Sequence, residues 1–181
     1  MLTDGEVIDL VRAGRRDEAL AALLPVYRRK VFGLAYSFLR GREAAEDVAQ
    51  EVFIRIWRAL PDFDGRASLS TWVYTIARNA SLSALRARRQ HFSLSDPQTR
   101  AEADIVDESA TAESSADDAA LRRLVEGLPQ KQRQVVTLFY MEEQSHEEVA
   151  AMLAMPIGTV KTLLHRARAK LSAAAGVNEH E

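Results

Sequence analysis

Cysteine is absent from this 181-residue chain, so it can hold no disulfide, no thiolate nucleophile and no cysteine-ligated zinc. It cannot sense oxidants through thiols of its own. Proline and glycine are scarce, at five and eight residues, and β-branched clusters are rare beside abundant alanine and leucine. This excludes a sheet-and-turn architecture and predicts an all-α fold. No run of about eighteen apolar residues occurs, which excludes a transmembrane helix. The opening MLTDGEVIDL lacks the basic start and apolar centre of a signal peptide, and a cytoplasmic location is expected. The four histidines, His91, His146, His165 and His180, are scattered, and HEE at His146 lacks the HExxH spacing. No glycine-rich phosphate loop is present, so neither a catalytic site nor a metal or cofactor is expected.

What is present becomes clear when charge is resolved along the chain. The formal net charge of −2 looks unfavourable for a nucleic-acid binder. Yet residues 65–95 hold five basic residues (Arg66, Arg78, Arg86, Arg88, Arg89) and no acid, whereas residues 96–118 hold eight acids against Arg100 alone. No acidic residue occurs between positions 150 and 178. Two basic surfaces separated by an acidic belt are thus concealed by the total, and it is the distribution that identifies partners.

Helical periodicity divides the chain into two domains. Thr3 and Glu6 form a capping-box pattern ahead of a short helix closed by Gly14. A second helix runs from about Asp17 to Gly41. A third, REAAEDVAQEVFIRIWRAL, stops at Pro61, and the loop PDFDGRAS leads into a fourth over 70–89. Residues 1–92 therefore read as a helical bundle. Residues 93–116 lose periodicity, are acidic and rich in Ser, Ala and Thr, and are expected to form a flexible linker. Residues 117–175 form a second helical domain, followed by a tail at 176–181.

The most informative stretch is QSHEEVAAMLAMPIGTVKTLLHRARAKL at 144–171. Ser145 and Glu148 carry another capping-box pattern, Val149, Met152 and Leu153 give an apolar face, and Pro156 interrupts the pattern. In the helix that follows, Val160, Leu164, Ala167 and Leu171 recur at steps of three and four. The other side carries Lys161, Thr162, His165, Arg166 and Arg168. One packed stripe and one uncompensated basic stripe suit a major groove.

Taken together, five segments resemble bacterial sigma factors of the extracytoplasmic-function (ECF) group of the sigma-70 family. They are YRRKVFGLAYSFL, AAEDVAQEVFIRIWR, FDGRASLSTWVYTIARN, LPQKQRQVVTLFY and MPIGTVKTLLHRARAKL, in register and in order over nearly the whole chain. The resemblance implies a protein that binds core RNA polymerase, through its beta and beta-prime subunits, and directs it to promoter DNA. Residues 1–92 (region 2) would take the −10 element and residues 117–175 (region 4) the −35 element. It also implies an anti-sigma factor as a controlling partner.

Matching positions give three sets of candidate residues. Glu46, Asp47, Gln50, Glu51 and Phe53 would dock on the polymerase; from the residues alone this polar stripe reads more readily as a solvated face. Phe63, Arg66, Ser70, Thr71, Trp72, Arg78 and Asn79 would take the −10 element, where a loop captures an unstacked base and the next helix supports the displaced strand. Trp72 and Tyr74 also fit a core at helical spacing, and Tyr74 is placed there. Arg86, Arg88 and Arg89 are expected to make phosphate contacts that position without reading sequence. Thr159, Lys161, Thr162, His165, Arg166 and Arg168 would face the −35 element.

The chain departs from the family pattern at two positions. Ala154 stands where glycine is common in the turn, which suggests an altered turn. Leu163 stands where a basic residue is common, which removes one phosphate contact. The 24 linker residues span roughly 25–30 Å as a coil but about 80 Å when stretched. Two promoter elements lie on the order of 70–80 Å apart at about 3.4 Å per base pair, so the linker would be nearly extended when both are held. A conventional helix-turn-helix regulator that binds DNA without polymerase is the alternative, and a purely protein-binding helical adaptor is opposed by the acid-free basic tracts.

Overall fold

Residues 3–94 and 116–175 are described by a computed structural model. The expected flexible linker lies outside the described residues except for helical residues at its two ends, as does the tail at 176–181. The chain divides into two compact helical units, at 1–105 and 106–181. Among the described residues there is no strand.

In the first unit, both halves of the Thr3 capping box are formed. The Glu6 N–H donates to Thr3 Oγ1 at 3.3 Å, and the Thr3 N–H donates to the Glu6 carboxylate at 2.7 Å. Two amides that a helix start leaves unmet are thereby satisfied, and the Thr3 N–H and Thr3 hydroxyl, both donating to the Glu6 carboxylate, hold that carboxyl below its ordinary value. Helix α1 (Asp4–Arg12) closes at Gly14, whose φ of 73° is left-handed.

Helix α2 (Arg16–Leu39) carries Pro25 on its exposed side and buries Leu23, Tyr27, Val31, Leu34 and Phe38. Gly41 was the expected stop, but Arg40 takes the left-handed conformation at φ 60°. The Arg40 N–H still reaches the Tyr36 carbonyl at 3.0 Å, which closes the helix one residue early. Gly41 is extended instead and begins α3 (Arg42–Ala59) at once. Val48, Val52 and Ile56 form the inner stripe of α3. A short 3-10 turn (Leu60–Asp62) and a loop lead to α4 (Leu69–Leu94), which runs five residues past its expected end. Helices α2, α3 and α4 pack on one another, with α1 against α2 and the 3-10 turn. Each fully buried Leu, Val or Ile contributes about 1.5–3 kcal/mol to this core.

The second unit comprises α5 (Ala116–Glu126), α6 (Gln130–Val136), α7 (His146–Leu153) and α8 (Ile157–Ala174). Arg133 is buried, and its guanidinium donates to the carbonyls of Glu126 at 3.2 Å and Leu128 at 3.0 Å. A cation thus meets the carbonyl end of α5, where the helix dipole is negative. After Val136 the helix widens into a π-helical turn (Thr137–Met141), with the Glu142 N–H bonded to the Thr137 carbonyl at 3.1 Å. A 3.6-residue pattern does not foretell a one-residue expansion of this kind.

Helix α7 starts on its predicted box, the Glu148 N–H donating to Ser145 Oγ at 3.2 Å and the Ser145 N–H to the Glu148 carboxylate at 2.8 Å. Its end corrects the expectation of an altered turn. Ala154 adopts φ 49° and ψ 53°, the left-handed geometry that glycine favours, and its N–H closes the helix on Ala150 and Ala151. Alanine there costs about 1–2 kcal/mol. Ala154→Gly should therefore stabilise the second unit by about 0.5–1 kcal/mol, some of the relief being offset by the freer unfolded chain. Both tryptophans, Trp57 and Trp72, lie in the first unit. Urea unfolding followed by far-UV dichroism, after subtraction of the tryptophan-fluorescence transition, isolates the second unit. A lower midpoint in the glycine variant would contradict the strain.

Candidate nucleic-acid interface

Three surfaces carry the candidate residues, two on the first unit and one on the second. On α3, Glu46, Asp47 and Gln50 are exposed, while Glu51 and Phe53 are half-buried. Glu46 pairs with Arg42 and Glu51 with Arg55, each at 2.9 Å, so part of the acidic stripe is neutralised along its own helix. Ile54, one turn beyond Gln50, is 45% exposed. Helical periodicity does not single it out, because the apolar stripe runs through Val52 and Ile56, which turn inward. Trp57 is half-buried, its indole N–H donating to Asp17 at 2.7 Å under the Arg16 guanidinium, 3.4 Å above the ring. This ring ties α3 to α2.

The second surface is the loop at 63–68 with the start of α4. Phe63 is 5% exposed, and its ring lies against Trp72, with centroids 5.0 Å apart. Trp72, Ser70, Thr71 and Arg78 are half-buried, and Arg66 and Asn79 are exposed. Tyr74 is fully buried and meets Tyr27 edge-on at 6.3 Å, as a core residue.

The helix start is tightly bonded. The Thr71 N–H donates to Ser68 Oγ at 3.2 Å, Ser70 Oγ and the Tyr27 hydroxyl share a bond of 2.9 Å, and the Leu69 N–H donates to Asp4 at 2.8 Å. Burial pushes the Tyr27 hydroxyl up from its ordinary pKa. Arg66 forms an exposed ion pair with Asp64 at 2.8 Å, a weak and screened contact that a phosphate can displace. Arg78 donates to the Asn79 side-chain oxygen at 3.0 Å, which aligns the two. Of the expected phosphate contacts, Arg86 is exposed, but Arg88 is half-buried and donates to the Leu39 carbonyl at 3.2 Å. It caps α2 instead. The side chain of Arg89 lies outside the described residues.

The third surface is α8. Val160, Leu164 and Ala167 are buried against the unit, and Thr159, Lys161, Thr162, His165, Arg166 and Arg168 are all exposed. At about 100° per residue, Gly158, Thr162, His165 and Arg166 occupy the outward arc. Thr162 donates its hydroxyl to the Gly158 carbonyl at 2.8 Å, which leaves its methyl and lone pairs outward. Arg168 sits on the flank. Its Nε donates to the hydroxyl of Tyr140, on the π turn, and its guanidinium carbon lies 5.5 Å from that ring's centroid. Sequence periodicity could not foresee this tether, because the π turn aims Tyr140 at α8. His146 is half-packed against Phe139, ring centroids 4.5 Å apart.

The tether carries a prediction. Arg168→Ala should leave the salt dependence of DNA binding nearly unchanged while destabilising the second unit by about 1 kcal/mol, from the lost bond and cation–π contact. Salt titration of promoter binding together with dichroism-monitored unfolding checks both parts. A slope reduced by a full unit would return Arg168 to the phosphate contacts.

Among the described residues there is no cluster of metal-ligating side chains, and no helix is long and apolar enough to cross a membrane. A family profile described as Sigma-70 region 2 matches residues 25–91, and one described as Sigma-70, region 4 matches residues 118–171. The chain is 33% identical over 173 residues to the ECF RNA polymerase sigma factor SigW of Bacillus subtilis, covering 91% of this chain and 92% of that protein. It is 32% identical over 175 residues to the RNA polymerase sigma-H factor of Pseudomonas aeruginosa, with 91% and 90% covered. Among solved structures, it is similar to the sigma factor RpoE in complex with the anti-sigma factor NepR from Bartonella quintana. That match has a TM-score of 0.73 and 25% identity, over 88% of this chain and 98% of that one. CnrH, solved with the cytosolic domain of CnrY, shares the fold at a TM-score of 0.66 and 24% identity, over 97% and 99%.

Proposed function

The chain belongs to the sigma-70 family, in its extracytoplasmic-function group, and from that premise we propose which of its surfaces does what. It is an alternative sigma factor that binds core RNA polymerase, directs initiation at promoters with −10 and −35 elements, and is held in check by an anti-sigma factor. Its family acts by binding, and no catalytic step is assigned to any residue. The domains are taken as 1–92 and 117–175, joined by the acidic linker, and the place of work is the cytoplasm.

The outward stripe of α3 (Asp47, Gln50, with Glu46, Glu51 and Phe53 around it) docks on the polymerase. Trp72, backed by Phe63, offers a ring to an unstacked base, with Arg66, Ser70, Thr71, Arg78 and Asn79 along the strand's path. In the second unit Lys161 and Arg166 meet phosphates or guanine edges, and Thr159, Thr162 and His165 line the same groove. The single observation that carries this reading is the outward face of α8 (Ile157–Ala174), exposed and free of acids, on a helix-turn-helix capped as its sequence requires.

The test is run-off transcription from fragmented genomic DNA with core polymerase, with and without the purified chain. Discrete new transcripts that share upstream motifs are the expected result. No new transcript, with DNA bound by the free chain, would instead establish a conventional regulator.

A further inference from the structure

We infer that α1 is a brace for the −10-reading loop, and that Asp4 and Ile8 are positioning residues that sharpen its sequence discrimination. The inference rests on the proposed reading of residues 63–79. Helix α1 stands ahead of the region 2 match, which begins at residue 25.

Two contacts join α1 to the loop, one at each end of its tip. Asp4 Oδ2 accepts the Leu69 N–H at 2.8 Å, across 65 residues of sequence. That amide is among the four that the start of α4 leaves unmet, and a carboxylate there also faces the positive end of the helix dipole. At the other end, Gly65 has φ 76°, and a Cβ built there would lie 2.7 Å from Ile8 Cδ1. Ile8 Cδ1 therefore lies close over the loop backbone, and a side chain at position 65 would have to push Ile8 aside as well as adopt a left-handed φ.

A third contact, between Tyr27 and Ser70, holds the beginning of α4 from the α2 side. Residues 66–68 between the two fixed ends are exposed. Helix α1 itself is anchored by its capping box and by Val7, which is fully buried. A loop with fixed ends and an open tip presents its base pocket in one geometry, and discrimination between bases depends on that geometry being held.

The experiment uses the assembled holoenzyme and a promoter recovered by the run-off assay. Wild type, Asp4→Ala, Asp4→Asn and Ile8→Ala are compared on that promoter, on a −10-substituted copy and on a −35-substituted copy. With Asp4→Ala, assembly with core polymerase should be unchanged, while preference for the intact −10 element falls about tenfold, as expected for a lost charge-assisted bond. Preference for the intact −35 element should persist. Asp4→Asn keeps an acceptor oxygen and should restore most of the preference; Ile8→Ala should weaken it about threefold through lost packing. Undiminished −10 preference in Asp4→Ala would overturn the inference. So would equal loss of both preferences, or an Asn variant as impaired as the Ala variant. A wild-type chain that yields no promoter-specific transcript would remove the underlying reading, and the brace with it.

Discussion

Replacing Lys161 and Arg166 together by alanine is expected to lower transcription from a −35-dependent promoter by about a hundredfold. The estimate assigns about 1.4 kcal/mol to each contact, toward the low end of what a charged side chain contributes at a groove edge or phosphate. Both side chains are exposed on α8, and neither joins the stripe of Val160, Leu164 and Ala167 that packs the helix. The unit's unfolding midpoint should therefore stay within experimental error of wild type. Two lost phosphate contacts would also reduce the slope of log affinity against log salt by about two units. The decisive measurement is run-off yield over a salt series with purified holoenzyme. Unchanged yield and slope would show that the basic stripe is only a solvated face.

The difference expected between Arg166 and Arg168 marks where sequence stops being sufficient. Both arginines lie on a helix whose apolar period is plain, so the helix, its buried face and its basic side were all legible from 144–171. Whether a long flexible cation points outward depends on what neighbouring segments offer it. Tyr140 captures Arg168 only because α6 opens into a π turn, and no side-chain period encodes that.

The same distinction holds in the first unit. Capping boxes at Thr3 and Ser145 are local chemistry, with partners three residues apart, and both are formed. The bonds that shape the −10 loop join Asp4 to Leu69 and Tyr27 to Ser70, residues 65 and 43 apart. Contacts at that range leave no periodic trace, which is why these pairings, and the approach of Ile8 to Gly65, carry no signal in a single chain. Phe63 illustrates the converse. The family match of its loop places it at the predicted interface, whereas its ring is buried against Trp72. Ala154 shows a departure from pattern that changed energy and not geometry, since the turn keeps its left-handed residue at a cost in strain.

The α3 stripe should give a loss of similar size through a different step. Among its acids, Glu46 and Glu51 already face Arg42 and Arg55 on the same helix. Asp47 makes no ion pair among the described residues and, with Gln50 one turn on, forms the exposed part of the stripe beside Ile54. Asp47→Arg with Gln50→Arg would set two cations where a basic surface of the polymerase is expected to meet an acidic one. Like-charge opposition of this kind costs several kcal/mol, so affinity for core polymerase should fall by about a hundredfold or more. Ile54→Ala should cost about tenfold, as a partly exposed apolar anchor that becomes buried on docking. Neither change touches Val48, Val52 or Ile56, so far-UV dichroism and unfolding midpoints should match wild type. Fluorescence anisotropy of labelled chain titrated with core polymerase reads the affinity directly. If the doubly reversed variant bound core as tightly as wild type, α3 would be a solvated face and the docking surface would have to lie elsewhere on the first unit. If Ile54→Ala alone were silent while the reversal abolished binding, docking at this stripe would be electrostatic with no apolar centre.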